Sequence, residues 1–221
     1  VTAIVDCGVA PGMDNVILGY YNETHKLESF ECLVGGLPKE KKWPFCYKAP
    51  FSPIDVIEEY TRPARYVENG SLIVRPPLTD CEFIEFEKVG TLEAFNSDGL
   101  RSIIYTMPHI KDMKEKTLRY PGHVEYVRVL KDSGFFSNEV SNDFNISPLD
   151  PMEEEFTVMR VTLVGTDKSG KKEQIIYDLY DEFCKETNVS SMARTTGYTA
   201  TAAVNLFLDG LFNQKGVFPP E

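Results

Sequence analysis

The 221-residue sequence predicts an α+β fold, a mixed and largely antiparallel sheet with helices on one face. Three observations carry that expectation. Alternating apolar segments face each other across short polar turns, as at Asn69-Gly70 and at residues 166–172. A few other segments repeat their apolar residues at helical spacing. No internal repeat or low-complexity tract interrupts either kind.

Residues 1–6 (VTAIVD) are almost continuously apolar, as in a strand covered on both faces. Residues 13–23 carry Val16, Ile17, Leu18, Tyr20 and Tyr21 at helical spacing behind Pro11-Gly12, with Asp14 as a capping residue. Residues 27–34 (LESFECLV) alternate like a strand and run into Gly35-Gly36-Leu37-Pro38. The Lys- and Pro-rich residues 39–50 form a loop. Ser52-Pro53 then opens a helix with Pro in its first turn, carrying Ile54, Val56, Ile57 and Tyr60 inward. Residues 65–68 and 71–74 make a hairpin around Asn69-Gly70, and residues 81–89 and 91–95 a second around Gly90. Residues 117–120 form a short strand and 122–133 a helix with Val124, Val127, Val129 and Leu130 apolar. The clearest hairpin pairs residues 156–165 with 173–181. Residues 190–212 form a long helix with almost no polar face beyond its first turns, so it must be covered on several sides.

The net charge of -11 argues against a nucleic-acid partner, because phosphate binding needs clustered Lys and Arg. No apolar run approaches the roughly 20 residues of a membrane helix, so no membrane partner is expected. The cysteines, Cys7, Cys32, Cys46, Cys81 and Cys184, are odd in number and lack a C-x-x-C, which suits a reducing, cytoplasmic location. Val1 begins directly in a strand-like run without a methionine, as if cut from a longer chain.

The stretch "VDCGVAPGMDN" holds two glycines after an apolar run but is a poor phosphate cradle. Its glycines do not follow G-x-G-x-x-G, and Pro11 between them has no N–H to give. Residues 165–172 (GTDKSGKK) nearly match a P-loop, but they lack the closing Ser/Thr and precede a strand, so they are read as a hairpin turn. His25, His109 and His123 stand apart without a second ligand at metal-site spacing, so no metal is expected.

Polar residues gather at the junctions between elements. A site for an amino acid needs a guanidinium for the carboxylate and acceptors for the ammonium. Arg119 suits the first role and Asp14 or Asp98 the second, with Asn15 and Arg101 beside them. His123, at a helix N-terminus, is expected to stay neutral and to orient or exchange a proton. Arg194, Thr195, Thr196 and Tyr198 could face the same cleft from the last helix. Structural roles stand beside these: Asp14 as a helix cap, Arg119 in an ion pair, His123 as a packed histidine.

In order along the chain, "DCGVAPGMDN", "GGLP", "DVIEEYTRPAR", "FNSDGLRS", "TLRYPGH" and "SSMARTTGYTA" resemble the saccharopine dehydrogenase-like family, nearest its L-lysine dehydrogenase branch. The resemblance covers the whole chain. It implies an N-terminal Rossmann domain for NAD or NADP that is missing here, followed by a substrate-binding and dimerisation domain. Residues 1–12 would then be the last strand of the nucleotide domain and the crossing out of it. Residues 13–188 would form the substrate and dimer domain, and 189–221 a helix and tail returning toward the missing part.

The resemblance places Asp14 and Asn15 near substrate, and on the reading of the residues His123 and Asp14 are expected to be catalytic. Asn15, Gly36, Leu37 and Asp98 are expected to bind substrate, together with Arg101, Arg119, Arg194 and Thr195. This chain alone would bind no cofactor. The expected activity of the whole is oxidation of a CH–NH bond in an amino acid. Phe51 stands where relatives tend to carry Trp, and Ile54 where they tend to carry Arg, which favours a lysine-like substrate over saccharopine with its three carboxylates. The alternative is a free-standing amino-acid-binding or regulatory protein without catalysis.

Overall fold

The computed structural model describes residues 1–136 and 146–221. Among them, eight strands form one mixed sheet centred on β2 (His25–Pro38) and β7 (Asp112–Arg119), which run parallel. On the outer side of β2 lie β8 (Glu155–Asp167) and then β9 (Lys172–Glu182), both antiparallel. The other side of β7 is divided. β3 (Ala64–Glu68) meets it near its start, at Met113, with β4 (Ser71–Arg75) outside, while β6 (Gly90–Asn96) takes residues 116–119 with β5 (Glu82–Phe86) beyond. Every pairing but β2 with β7 is antiparallel, so the sheet is the mixed, largely antiparallel one expected.

Local chemistry explains the turns. Asn69 (φ 50) and Gly70 (φ 76) both take positive φ, as a two-residue type I′ hairpin turn needs. The P-loop-like stretch is the turn between β8 and β9, where Asp167 Oδ1 accepts from the backbone N–H groups of Ser169 and Lys171.

The described residues also form five helices: α1 (Met13–Asn22), α2 (Pro53–Thr61), α3 (Ile103–Thr106), α4 (His123–Asp132) and α5 (Ser191–Leu208). Strand alternation sorts the core into two faces. Phe30 and Cys32 of β2 join Met159, Val161 and Leu163 of β8 beneath Leu18 of α1. Leu33 and Leu37 point the other way, toward Leu92, Leu118, Phe156 and Val158. A third cluster gathers Val56 and Tyr60 of α2 with Val124 and Val127 of α4 around Phe95.

Several elements depart from expectation. β2 continues through Gly35 and Gly36 because both must lack a side chain: a Cβ on Gly35 would lie 2.7 Å from the Leu118 carbonyl oxygen, and one on Gly36 would overlap Met192 Cε. β7 begins at Asp112, five residues early, its alternation hidden by Lys and Glu at residues 114–116. On α2, Val56 and Tyr60 are buried but Ile54 is 72% exposed, since two residues rotate a side chain by about 200° around a helix. Val129 of α4 is exposed too.

The first strand, β1 (Thr2–Ile4), is not covered on both faces. It pairs in parallel with β10 (Gly216–Phe218), and Val1 and Val5 beside it are exposed. The described residues likewise leave the second half of α5 uncovered, with Val204, Leu206, Phe207 and Leu208 exposed. No described helix is long and apolar enough to cross a membrane.

Candidate functional site

A cavity of about 670 Å³ opens at the carboxyl ends of β2 and β7, the place where parallel strands of open sheets receive ligands. Gly35 and Gly36 of β2 and Glu115, Thr117 and Arg119 of β7 form its floor. The loop Ser97-Asp98-Gly99 after β6, the exposed side of α2, the loop after β1 and the first turns of α5 wall it in.

Arg119 is 1% exposed, and its charge is matched on every side. Nη2 donates to Glu59 (2.5 Å), Nη1 to the Leu118 carbonyl (3.0 Å) and Nε to the Tyr60 hydroxyl (3.3 Å), while the guanidinium sits 4.0 Å over the Tyr47 ring. Burial opposes the charge, and Tyr47, Tyr60 and Glu59 outweigh it, leaving the guanidinium pKa raised. Burial also pushes the Tyr60 hydroxyl up to about 12.

Tyr60 passes this order on to His123. The His123 Nδ1 lies 2.9 Å from the Phe45 carbonyl, which can only accept, so Nδ1 carries the hydrogen. Nε2 therefore accepts from the Tyr60 hydroxyl at 2.9 Å. Burial first, then the Arg119 charge, lowers the His123 pKa to about 3. The imidazole is neutral, as its place in the sequence suggests, although burial and not the helix terminus is the main cause.

A second group lies at the same floor. Glu115 is 4% exposed, Asp14 is fully buried behind it, and the ligand atoms of Asp14, Cys32 and Glu115 all lie within 4.8 Å of one another. Asp14 Oδ1 accepts from the Gly12 N–H (2.8 Å), but Asp14 Oδ2 and Glu115 Oε2 find no partner. Burial drives all three acids toward their protonated forms. Asp14 is pushed up to about 7 against the pull of nearby N–H groups, Glu115 rises well above the usual carboxyl range with Asp14 adding to it, and Cys32 rises for the same two reasons. This trio is the group among the described residues that could jointly hold a metal ion, and it would have to shed protons to do so. Gly99 makes room for it, since a Cβ there would overlap the Glu115 carboxyl.

Of the candidate site residues, Gly36, Asp98, Arg101 and Arg119 line the cavity, and Thr196 joins them. Asp98 grips Arg65 through two 2.9 Å bonds and accepts its backbone N–H. Asp14 lies behind Glu115, and His123 communicates with the cavity only through Tyr60. The remaining candidates do not line it. Asn15 turns to Glu221 (2.9 Å), Leu37 is in the core, Arg194 pairs with Asp181, and Thr195 is buried against the Ser191 carbonyl. Ile54 is off the cavity, whereas Phe51 lines it.

Sequence reasoning passed over Glu59, Tyr60 and Glu115. The first two lie in "DVIEEYTRPAR" and Glu115 just before "TLRYPGH", so the signal was their adjacency to stretches already singled out.

The loop after β1 does not fit a pyrophosphate. The Gly8 N–H donates to the Pro11 carbonyl (3.0 Å), the Gly12 N–H to Asp14, and the Met13 N–H to the Gly8 carbonyl (3.0 Å), so these three donors are spent internally, and Pro11 has none to give.

Residues 8–221 match the family model "Saccharopine dehydrogenase C-terminal domain", and the chain belongs to that family. Among curated proteins it is similar to alpha-aminoadipic semialdehyde synthase of Arabidopsis thaliana, 27% identical over 156 residues, which is 64% of this chain and 15% of that protein. It is also 27% identical over 186 residues to the mitochondrial alpha-aminoadipic semialdehyde synthase of Bos taurus, covering 77% of this chain and 20% of that protein. The chain thus spans a fifth or less of those relatives.

Among solved structures, apo saccharopine dehydrogenase (L-Glu forming) from Saccharomyces cerevisiae superposes with a TM-score of 0.75 at 19% identity, over 96% of this chain and 67% of that one. Homospermidine synthase from Legionella pneumophila, solved with NAD, gives 0.68 at 12% identity, over 100% of this chain and 59% of that one. At these identities the superpositions speak for the fold alone.

Proposed function

On the premise of that membership, we propose that this chain is the substrate-binding and dimerisation domain of an NAD(P)-dependent amino-acid dehydrogenase acting on a CH–NH bond, with a lysine-like substrate. One observation carries the reading: a single cavity presents a buried, fixed guanidinium and an unpaired carboxyl group, Glu115, on the same strand. Of the five N–H donors of a guanidinium, three of Arg119's are spent internally, which leaves two for a carboxylate. The Tyr60–His123 chain holds that guanidinium in place, and the acids opposite receive an amine.

The nicotinamide supplies a hydride acceptor when bound, and its pyrophosphate is held outside this chain. Pairing of β1 with β10 supports the division at residues 12 and 189, because it brings both crossing segments to one place. The exposed Val204, Leu206 and Phe207 of α5 offer an apolar surface for a neighbouring domain or subunit.

Thermal melting of the purified chain tests the reading, since a ligand of the folded state raises its stability. L-lysine is expected to raise the melting temperature and saccharopine to leave it unchanged. Stabilisation by saccharopine alone would reverse the substrate assignment, and stabilisation by neither would refute the reading. Hydride transfer to NAD⁺ by this chain alone, or a clean monomer in sedimentation, would contradict the domain roles.

A further inference from the structure

The charges around the cavity are unevenly matched. Its three lining cations, Arg62, Arg101 and Arg119, each already face an internal carboxylate, on Glu58, Asp6 and Glu59. Asp98 is likewise taken by Arg65. Asp55 and Glu115 line the same cavity and form no ion pair among the described residues. Of these two, Glu115 is the buried one, with Oε2 unpartnered and the unpartnered Asp14 Oδ2 behind it. A Cβ at Gly99 would overlap this carboxyl, so a side chain there would push the Glu115 carboxyl from its place. A fold that needed only to fill this volume would be better served by an apolar side chain, because buried carboxyls without partners cost stability.

We propose that Glu115 is the amine-binding residue of the cavity: an alkylammonium group of the ligand docks against its carboxyl group, and the cavity thereby selects diamines and diamino acids over dicarboxylates. The proposal rests on the reading of this cavity as a substrate site. The groups that set the charge at Glu115 are Asp14 of α1, Cys32 of β2, Glu59 of α2, and Asp98 and Arg101 of the loop after β6. Only Arg101 among them is a cation, and it already faces Asp6, so an arriving ammonium meets a carboxyl that no internal cation matches.

Isothermal titration calorimetry of the purified chain with 1,5-diaminopentane, glutarate and L-lysine tests it. The diamine and lysine are expected to bind, and glutarate not to bind. Glu115→Gln should weaken the diamine roughly tenfold or more, the worth of one charge-assisted hydrogen bond. Glu115→Asp serves if the first variant fails to fold, and should bind the diamine more weakly than the native chain while still excluding glutarate.

Glutarate binding in place of the diamine, or unchanged diamine affinity in Glu115→Gln, overturns the proposal. Lysine binding without diamine binding overturns it too but leaves the amino-acid site standing. Diamine binding without lysine supports it and removes the amino-acid reading. No binding of any of the three refutes both.

Discussion

Glu115 and Arg119 face one cavity from one strand, with Thr117 between them, and both are almost wholly buried, yet their surroundings are opposite. Arg119 has an acid, a hydroxyl, a carbonyl and an aromatic face arranged around it. Glu115 has acids for neighbours and an unpartnered oxygen. Burial penalises a charge in either place. Around Arg119 the protein compensates for it and keeps the charge, whereas around Glu115 it does not and the proton stays on. The first region is thereby rigid and permanently charged, and the second holds a carboxyl that no internal cation matches.

The largest expected effect comes from breaking the matched side. Arg119→Ala strands Glu59 and unties Tyr60 and His123, and should cost about 3–5 kcal/mol in urea unfolding. A loss below about 1 kcal/mol would mean that the network holds little together.

Next in size is a pair of opposite pH slopes, a swing of a few kcal/mol. The His123 pKa is lowered to about 3, so between there and about 6.5 the unfolded chain binds the proton first, and stability falls as pH drops through that window. The Asp14 pKa is raised to about 7, so the folded chain keeps a proton that the unfolded one gives up above about pH 4. Its contribution is full below that pH and is lost as pH rises toward 7. Melting temperatures across pH 3–9 should show His123→Gln flattening the acid limb and Asp14→Asn flattening the neutral one. Identical profiles for the two variants would erase the distinction between the regions.

Tyr60→Phe sharpens the comparison on a smaller scale. It removes the link between Arg119 and His123 and leaves Nε2 unsatisfied, for about 1–3 kcal/mol in chemical denaturation. Smallest is Lys171→Ala in the β8–β9 turn, where Lys171 pairs with Glu173 at the surface. Stability there should stay within about 0.5 kcal/mol, and a larger change would give that turn a role beyond its hairpin.

These two regions also mark where sequence reasoning succeeds. The hairpins, α1 and α4 were legible because turn chemistry and periodicity are local, as Asn69-Gly70 illustrates. The parallel pairing of β2 with β7 was not, because it joins segments separated by α2, two hairpins and α3. Arg119, Asp98 and Arg101 could be nominated from their residue type at element junctions. Glu115 could not, because "MKEKTLR" looks like a solvated charged run until Glu115, Lys116 and Arg119 prove buried. Asp14 was legible as a residue at the start of a helix, but its closeness to Cys32 and Glu115 is a product of the tertiary fold.

The most direct test of the central claim, that this cavity is a substrate site with a fixed cation and an unmatched acid on one strand, is a crystal structure of the chain grown with L-lysine. The account predicts lysine in the cavity with its carboxylate on Arg119 and an ammonium within hydrogen-bond distance of Glu115. Lysine bound with its carboxylate beside Glu115, or anywhere outside this cavity, would contradict it.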